Sequence, residues 1–303
     1  MPRILNIGSM NLDYVYAVPR FVQAGETLAA LSMRVFPGGK GLNQSVALAK
    51  AGGDVAHAGR VGAEGAWLID LLNESGADTR LIETSQGANG HAIIQVTPDG
   101  GNCILLHPGA NGGLDTAFID RALRGYGRGD ILVLQNETSG VAYAMSAAYE
   151  RGMRVAFNPS PITEAVKTYP LEAVAWFILN ETEGYSLSGR TEPREILSAL
   201  GERYPRATVV LTLGENGSLC RDAEGKVYEQ PAYKLPDVVD TTAAGDTFTG
   251  FFIAAAAAGR DIRECLRLAS AAAGISVSRK GAAVSVPAFS EVEGELLLFY
   301  GQG

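Results

Sequence analysis

A carboxylate stands at the start of a segment with the composition of a buried helix. In VVDTTAAGDTFTGFF, residues 238 to 252, Asp246 follows the small residues Ala243, Ala244 and Gly245 and precedes a long apolar run. The N–H groups of a helix N-terminus have no intrahelical partners and carry the positive end of the helix dipole. Small side chains there let an anion approach, so the turn can hold a phosphate. Dipole complementarity alone also explains a single acid at such a position.

A glycine-rich turn precedes a second helical pattern. In PGGKGLNQSVALAKAGG, residues 37 to 53, Gly38, Gly39, Lys40 and Gly41 are predicted to form the loop that enters the helix. Glycine lets the backbone touch a ligand, although tight chain reversal explains such turns as well. The turn is not a Walker A sequence because no Ser or Thr follows the lysine, so any nucleotide here is bound without a P-loop.

Two strand ends carry weaker signals. In LNETEG, residues 179 to 184, Asn180 is followed three positions later by a glutamate, which is sufficient for a helix capping box. In TLGENGS, residues 212 to 218, Gly214 and Gly217 end a strand and are compatible with a simple turn.

Composition excludes several classes of function. The chain has 303 residues, 47% of them hydrophobic, and contains no run approaching the roughly 20 apolar residues of a membrane span. A net charge of -8 argues against a nucleic-acid partner. Three widely spaced cysteines and an N-terminus without a signal-peptide pattern favour a soluble, cytoplasmic protein with reduced thiols. The three histidines lack metal-ligand spacing, so no zinc site is expected.

The apolar pattern predicts an α/β fold. Strand-like runs occur at 4 to 8, 55 to 62, 131 to 135, 154 to 159, 176 to 180 and 208 to 214, separated by segments of helical length. This order indicates a mostly parallel sheet covered by helices on both faces. Residues 12 to 37 and 91 to 107 are interpreted as a small antiparallel β lid, and residues 1 to 11, 38 to 90 and 108 to 303 as the α/β core.

Several of these motifs together resemble one family. GGKGLNQ, NPSP at 158 to 161, NETE at 180 to 183, TLGENG at 212 to 217 and DTTAAGD at 240 to 246 are similar, in order and spacing, to the ribokinase branch of the PfkB carbohydrate kinases. The resemblance extends from Ile4 to about Pro287. It implies a three-layer ribokinase-like core with a β lid, which phosphorylates a sugar hydroxyl with ATP and Mg²⁺.

The resemblance also implies roles for individual residues. Asp246 matches the catalytic base, and the amides of Ala243, Ala244 and Gly245 match an anion hole for the transferred phosphoryl group. The positions that match sugar contacts are Asn11, Asp13, Gly39, Lys40, Asn43, Glu137 and Asp246. Those that match the nucleotide side are Asn180, Thr212, Gly214, Gly217 and Gly245.

A further resemblance concerns a monovalent cation. SVSRKGAAVSVP, residues 276 to 287, is similar to the potassium site of ribokinases. The implied ligands are the Asp240 carboxylate, the carbonyls of Thr242, Ser276, Arg279 and Gly281, and Ser285. A basic loop at a helix end explains the same segment without any cation.

The leading hypothesis is an ATP-dependent kinase acting on the 5-hydroxyl of D-ribose. Deoxyribose, fructose or a nucleoside is an alternative acceptor, and a catalytically silent sugar-binding protein on the same fold is an alternative of another class. A dinucleotide-dependent oxidoreductase is disfavoured because GSMNLD, rather than G-x-G-x-x-G, follows the first strand. The lid is expected to form a homodimer through exposed apolar side chains, namely Tyr14, Tyr16, Phe21, Val35, Ile93 and Ile94.

Overall fold

The computed structural model describes residues 1–300, which form 13 strands and nine α-helices. The strands are β1 (Ile4–Ile7), β2 (Asn11–Ala17), β3 (Ser32–Gly38), β4 (Val55–Val61), β5 (Asp78–Thr84), β6 (Gly90–Val96), β7 (Asn102–His107), β8 (Ile131–Gln135), β9 (Arg154–Asn158), β10 (Val174–Asn180), β11 (Thr208–Thr212), β12 (Ser218–Arg221) and β13 (Val227–Gln230). The helices are α1 (Lys40–Lys50), α2 (Trp67–Glu74), α3 (Thr116–Ala122), α4 (Val141–Glu150), α5 (Glu181–Ser188), α6 (Pro193–Arg203), α7 (Ala244–Ala257), α8 (Ile262–Val277) and α9 (Phe289–Tyr300).

Nine strands form the central sheet, in the order β13-β12-β11-β10-β9-β8-β1-β4-β5. All neighbours from β11 to β5 are parallel, whereas β12 and β13 are antiparallel to their neighbours. The six strands predicted from the sequence are β1, β4, β8, β9, β10 and β11, and they occupy adjacent places in this order. Their carboxyl ends meet at one edge of the sheet, which is where open α/β sheets bind ligands.

Helices cover both faces of the central sheet. On one face, α1, α2, α7, α8 and α9 contribute to an apolar core that contains Phe251 and Phe252. On the other face, α3, α4, α5 and α6 pack over a second core that contains Phe157 and Phe177. The predicted three-layer α/β fold with a mostly parallel sheet and a small second sheet is therefore confirmed. Within residues 1–300, no helix combines the length and apolar character needed to cross a bilayer.

The second sheet has four strands in the order β3-β2-β6-β7. The prediction of a wholly antiparallel lid was wrong, because the central pair, β2 and β6, is parallel. Both strands leave the carboxyl edge of the central sheet, β2 after β1 and β6 after β5, and so run in the same direction. The pairing of β6 with β7 also brings His91 and His107 together, with ring centroids 5.0 Å apart, despite their separation in sequence.

The glycine-rich turn is shorter than predicted. α1 begins at Lys40, so Lys40 and Gly41 belong to its first turn and only Gly38 and Gly39 precede it. Gly39 has a φ of 92°, a conformation that favours glycine. All three cysteines are unpaired.

Candidate active site

The candidate site lies at the carboxyl edge of the central sheet, where α1 and α7 begin. Ala243 precedes α7 in the left-handed conformation, with a φ of 62°. It is the one non-glycine residue with positive φ among those that the structure describes. Asp246 lies in the first turn of α7 and is 6% exposed. A buried carboxylate is thus held at the positive end of a helix dipole.

Both oxygens of Asp246 accept hydrogen bonds from amides of α1. Asn43 Nδ2 donates to Oδ2 at 3.0 Å, and Gln44 Nε2 donates to Oδ1 at 2.9 Å. The Asn43 Oδ1 atom is buried and has no partner within the described part of the chain, so it can accept a hydrogen bond from a ligand hydroxyl. These contacts fix the orientation of the carboxylate while leaving an acceptor beside it.

Charge is concentrated around the side chain of Lys40. The carboxylate of Asp246 raises the pKa of Lys40 most, and Glu137 and Glu183 add to this effect against the opposing influence of burial. The ammonium group therefore stays charged next to three carboxylates. The sequence prediction placed Lys40, Glu137 and Asp246 at one site, and the structure brings them within electrostatic reach of one another.

The turn before α1 is built for close approach to β2. A Cβ at Gly38 would collide with the Asp13 carboxylate, and a Cβ at Gly39 would lie 3.0 Å from the backbone nitrogen of Asn11. Both glycines therefore let the lid strand pass directly over the turn. Asn11 is buried, and its Oδ1 accepts a hydrogen bond of 2.7 Å from Asn111.

Glu137 connects this turn to the segment after β8. Its Oε2 accepts hydrogen bonds from Ser9 Oγ at 2.6 Å and from the Lys40 backbone N–H at 2.9 Å. Burial raises the pKa of Glu137. Burial, with the nearby charge of Glu137, raises the pKa of Asp13 to about 7. Two acids of raised pKa, an amide and a lysine thus surround a polar pocket of the kind that binds vicinal hydroxyls.

The pKa of Asp13 makes the stability of the unliganded protein depend on pH. Its folded value of about 7 lies above the ordinary value of 3.8, so between these values the folded protein holds a proton that the unfolded chain has lost. We expect the free energy of unfolding to fall as pH rises through this window, by at most about 1.4 kcal/mol per pH unit. Urea unfolding between pH 4.5 and 7 measures the slope. Asp13→Asn should flatten it, and an unchanged slope in that variant would contradict the assignment.

A cavity of about 520 Å³ opens on the other side of the α7 N-terminus. Its lining includes Thr212, Gly214, Gly217, Ala244 and Gly245. A Cβ at Gly214 or Gly245 would meet open space, so the backbone at both glycines is accessible from the cavity. Much of the remaining wall is apolar, although Glu215, Lys234, Thr241 and Ser270 also contribute to it, and the volume is typical of sites for small molecules and cofactors. Four of the five predicted nucleotide residues therefore lie around one cavity.

The fifth, Asn180, has a different arrangement. Its side chain caps α5, where Oδ1 accepts from the Glu183 N–H at 2.9 Å and Glu183 Oε2 accepts from the Asn180 N–H at 3.1 Å. The capping box indicated by the sequence is thus formed. Asn180 pairs with Thr212 in adjacent strands but is not part of the cavity wall.

Two of the predicted cation ligands, Thr242 and Gly281, contact Asp240 through their backbone N–H groups. Its Oδ1 accepts from the Thr242 N–H at 2.9 Å and its Oδ2 from the Gly281 N–H at 3.0 Å. Although burial acts in the opposite direction, these hydrogen bonds lower the pKa of Asp240. The carboxylate therefore ties the loop before α7 to the segment after α8.

The remaining predicted cation ligands lie in that second segment. The Ser276 Oγ atom is buried without a partner among residues 1–300, and Ser285 Oγ donates to the Ala282 carbonyl at 2.8 Å. The Arg279 side chain pairs with Glu291 at 2.9 Å. A charged carboxylate with neighbouring carbonyl and hydroxyl oxygens suits a large, weakly hydrated monovalent cation. Residues 1–300 contain no cluster of three or more His, Cys, Asp or Glu side chains that could hold a metal.

Two side chains of this site were not predicted from the sequence. Gln44 contacts Asp246 directly, and it belongs to the GGKGLNQ motif, from which Gly39, Lys40 and Asn43 were selected but Gln44 was not. Ser9 donates to Glu137, but no sequence pattern marks it, because the contact joins residues 128 positions apart.

A model of the pfkB family of carbohydrate kinases matches residues 1–288. The chain belongs to this family. It is therefore a phosphotransferase with a hydroxyl group as acceptor.

Similar proteins cover nearly the whole of this carbohydrate kinase. A ribokinase of Haemophilus influenzae is 34% identical over 295 residues, which are 94% of this chain and 95% of that protein. The structure of a Cryptococcus neoformans ribokinase in complex with ADP has a TM-score of 0.87 at 32% identity, covering 98% of this chain and all of that one. An Arabidopsis thaliana ribokinase complexed with ribose and ATP has a TM-score of 0.85 at 30% identity, covering 97% and 98% of the two chains.

Proposed function

We propose that the protein is an ATP-dependent ribokinase, which transfers the γ-phosphoryl group of ATP to the 5-hydroxyl of D-ribose. The observation that carries the proposal is the N-terminus of α7, where Asp246 accepts hydrogen bonds from Asn43 and Gln44 while Ala244 and Gly245 line the 520 Å³ cavity. The similar proteins from Haemophilus influenzae and Arabidopsis thaliana, named ribokinases, support ribose as the acceptor and ATP as the donor.

Asp246 acts as the base in this reaction. Its carboxylate is buried and oriented by two amide donors, so it can accept the proton of a sugar hydroxyl that enters the pocket. The backbone N–H groups of Ala243, Ala244 and Gly245 stabilise charge that develops on the transferred phosphoryl group. Because the phosphoryl transition state is loose, alignment of the hydroxyl matters as much as removal of its proton.

The sugar is bound by the polar groups under the lid. Asn43 offers an unpaired acceptor, and Asp13 and Glu137 offer carboxyl groups that can share hydrogen bonds with neighbouring hydroxyls. Gly39 allows the backbone to approach the sugar, and Lys40 balances the negative charge of the pocket. Asn11 completes the set.

The nucleotide occupies the cavity beside α7. The apolar part of the wall suits a base and ribose, and the glycines at 214, 217 and 245 let the backbone approach the phosphates. Mg²⁺ binds as a complex with the phosphates of ATP and neutralises their charge. Glu183, which is near Lys40 and in the first turn of α5, is the carboxylate that would hold such a complex.

Potassium is proposed to occupy the oxygen-rich region around Asp240. The residues that would hold it are Asp240, Thr242, Ser276, Arg279, Gly281 and Ser285, with Arg279 contributing only its backbone because its side chain pairs with Glu291. A bound cation would stabilise the loop from residue 241 to residue 245, whose N–H groups face the phosphoryl group. It therefore organises the anion hole without touching the sugar.

We expect potassium chloride to raise turnover at least ~10-fold over choline chloride at the same ionic strength, because preorganised donors contribute a few kcal/mol. Sodium should activate much less, since it is smaller and fits a wide oxygen shell poorly. Asp240→Ala should abolish the response, whereas Asp237→Ala, at an exposed acid of the same segment, should keep it. A flat potassium curve for the unmodified protein would mean that residues 276 to 287 form only a helix end and a loop.

The lid is proposed to form a homodimer contact. Val35, Tyr14, Ile93 and Leu105 are cross-strand neighbours, so they form one row across all four lid strands, on the side opposite to Asp13. Val35, Ile93 and Leu105 are 41%, 38% and 68% exposed, which is more apolar surface than a small solvated sheet usually shows. Of the six apolar side chains predicted to be exposed, Phe21, Val35 and Ile93 are exposed, and Tyr14, Tyr16 and Ile94 are partly buried.

Light scattering at micromolar concentration should give the mass of a dimer. Leu105→Lys places a charge in the apolar row and should shift the mass to that of a monomer. Leu297→Lys is the matched control, because Leu297 is similarly exposed but lies on α9, away from the lid. A monomeric unmodified protein would contradict the proposal.

The division of the chain follows from these roles. We assign residues 12 to 37 and 91 to 107 to the lid, and residues 1 to 11, 38 to 90 and 108 to 303 to the core that binds sugar and nucleotide. A cytoplasmic location is the one that suits three unpaired cysteines, two of them buried.

A screen of acceptors tests the proposed function. ADP release is measured with ribose, 2-deoxyribose, fructose, ribulose and several nucleosides, each with and without potassium. We expect the highest kcat/KM with ribose. Preference for another acceptor would mean that the protein is a kinase but that ribose is not its substrate. No ADP release with any acceptor would favour a catalytically silent sugar-binding protein.

A further inference from the structure

A chain of buried side-chain hydrogen bonds leads from Asp246 into the central sheet, away from both pockets. Its members come from α1, β8, β1 and β4, and each is at most 1% exposed: they are Gln44, Gln135, Asn6, Ser45 and His57. A fully buried chain of polar side chains is costly unless its hydrogen bonds are made, so the contacts within it define one arrangement.

Within this series of hydrogen bonds, the orientation of the Asn6 amide is fixed by its partners. Asn6 Nδ2 donates to the Gly41 backbone carbonyl and to Ser45 Oγ, both at 2.8 Å. The carbonyl can only accept, so the amide of Asn6 must turn its NH₂ group toward it. The Oδ1 atom of Asn6 is thereby directed to Gln135 Nε2, which donates to it at 3.0 Å.

The orientation of the Asn6 amide determines the orientations of the Gln135 and Gln44 amides, and so which group faces Asp246. Gln135 Nε2 also donates to Gln44 Oε1 at 2.7 Å, although this leaves Gln135 Oε1 without a partner among residues 1–300. With its oxygen engaged, Gln44 directs its NH₂ group to Asp246 Oδ1 at 2.9 Å. Reversal of either glutamine amide would place oxygen against oxygen, so the two ends of the chain determine every amide orientation between them.

The far end of the chain carries no charge. Burial lowers the pKa of His57 to about 4, so its imidazole is neutral. Because Ser45 Oγ accepts from Asn6, its own proton is available for His57 Nδ1 at 2.8 Å. The chain therefore fixes orientations and does not deliver a proton.

The helix packing explains why two successive residues of α1 reach one carboxylate. A Cβ at Gly250, one turn after Asp246 on α7, would collide with Ala47, one turn after Asn43 on α1. The two helices thus pack closely one turn away from the carboxylate. Asn43 engages Oδ2, and Gln44 engages Oδ1 while also donating to Asn158 Oδ1 at 3.3 Å.

We propose that Gln44 and Gln135 are positioning residues for phosphoryl transfer, which present a donor to Asp246 and so hold its carboxylate aimed at the sugar hydroxyl. Gln44 acts by direct contact with Asp246, and Gln135 acts only through Gln44. This inference rests on the proposed role of Asp246 as the base. Lys40 on α1 and Glu137 after β8 interact electrostatically with Asp246, Glu183 on α5 interacts with Lys40, and all three remain in the variants below.

The pH dependence of kcat is the first readout. Gln44→Leu removes a donor that favours the ionised carboxylate, so kcat should fall at least ~10-fold and the acid limb of the profile should move to higher pH. The sugar KM should stay within about threefold, because Gln44 does not line the sugar pocket. Gln135→Leu should change kcat and the acid limb in the same direction, although its side chain lies one residue further from Asp246.

Because the hydrogen-bonded amides have one donor-to-acceptor order, a variant that reverses this order tests the inference more stringently. Gln135→Glu keeps the shape, but the new carboxylate can only accept, so Gln44 must turn its NH₂ group toward it and present Oε1 to Asp246. We expect Gln135→Glu to lose more turnover than Gln135→Leu at pH 8, by at least ~10-fold, because a repulsive contact replaces a lost one. Because a buried carboxylate also lowers stability, the unfolding midpoint of both variants is measured, and a purely structural role predicts that their turnover falls in proportion to the loss of stability and that the acid limb does not move.

A double-mutant cycle separates positioning from loss of stability. In the Gln44→Leu background, Gln135→Leu should change kcat by less than about twofold, since its influence passes through Gln44. Val133→Ala, two residues earlier on β8 and 1% exposed, is the control, which should lower the unfolding midpoint while leaving the acid limb in place.

The outcomes distinguish this inference from the proposed function. Additive losses in the double variant, or an unmoved acid limb in Gln44→Leu, would overturn the inference while Asp246 remained the base. If Asp246→Asn kept full turnover, the proposed base would be wrong and the inference would fail with it. We expect non-additive losses of kcat in the double variant and an acid limb shifted to higher pH in Gln44→Leu. We also expect a larger loss of turnover in Gln135→Glu than in Gln135→Leu.

Discussion

Asp246→Asn is expected to lower kcat by at least ~10² while leaving sugar and ATP binding largely intact. The amide keeps the shape of the carboxylate but cannot accept the hydroxyl proton. It also turns an NH₂ group toward Asn43 or Gln44, each of which donates to an oxygen in the unmodified protein. Steady-state kinetics give kcat, and calorimetric titration with ribose and with a non-hydrolysable ATP analogue gives the two dissociation constants.

The matched control for this variant is Asp261→Asn. Asp261 is also at a helix N-terminus, where it accepts from the Glu264 N–H at 2.9 Å, but it caps α8 and is outside the cavity wall. It should keep normal turnover, because an asparagine can also cap the helix and the change affects stability by at most about 1 kcal/mol rather than chemistry. Near-normal turnover in Asp246→Asn would show that the base assignment is wrong.

Asp13→Ala and Asn43→Ala are expected to raise the sugar KM about 5- to 150-fold, which corresponds to about 1–3 kcal/mol for each lost hydrogen bond. The KM for ATP should change much less, because the cavity beside α7 is lined by other residues. The two variants should differ in kcat. Asn43 also donates to Asp246, so Asn43→Ala should lower kcat as well, whereas Asp13→Ala should act mainly on KM.

Asp99→Ala is the control for the lid, because Asp99 is exposed in the turn between β6 and β7. It should leave both KM values unchanged. Equal increases of the two KM values in Asp13→Ala would count against a dedicated sugar pocket under the lid.

The central strands could be predicted from the sequence because their burial leaves a local pattern of apolar residues. ILVLQ of β8 is buried throughout and TVVLT of β11 is buried up to Leu211, and strands covered on both faces require such continuous apolar runs. The sequence prediction omitted β5, β12 and β13. These strands lie at or near the sheet edges, where partial exposure permits polar residues, as in VYEQ of β13. Their pairing depends on long-range contacts rather than on a local pattern.

The site was predictable in part for the same reason. The start of α7 and the place of Asp246 follow from small residues before an apolar helix, and the capping box at Asn180 follows from its spacing. The hydrogen-bond partners of Asp246 do not follow from any local sequence pattern. Gln44 reaches it across 202 positions of sequence, because α1 and α7 pack closely at Gly250. The parallel pairing of β2 with β6 likewise depends on where two distant strands leave the central sheet.

The most direct test of the proposed function is to identify the product. The protein is incubated with D-ribose, ATP, Mg²⁺ and potassium, and the product is examined by two-dimensional ¹H–³¹P correlation NMR. We expect one phosphorus signal that correlates with both protons of C5, formed in equal amount with ADP. Correlation with the proton of C1, or formation of ADP without any sugar phosphate, would contradict transfer to the 5-hydroxyl of ribose.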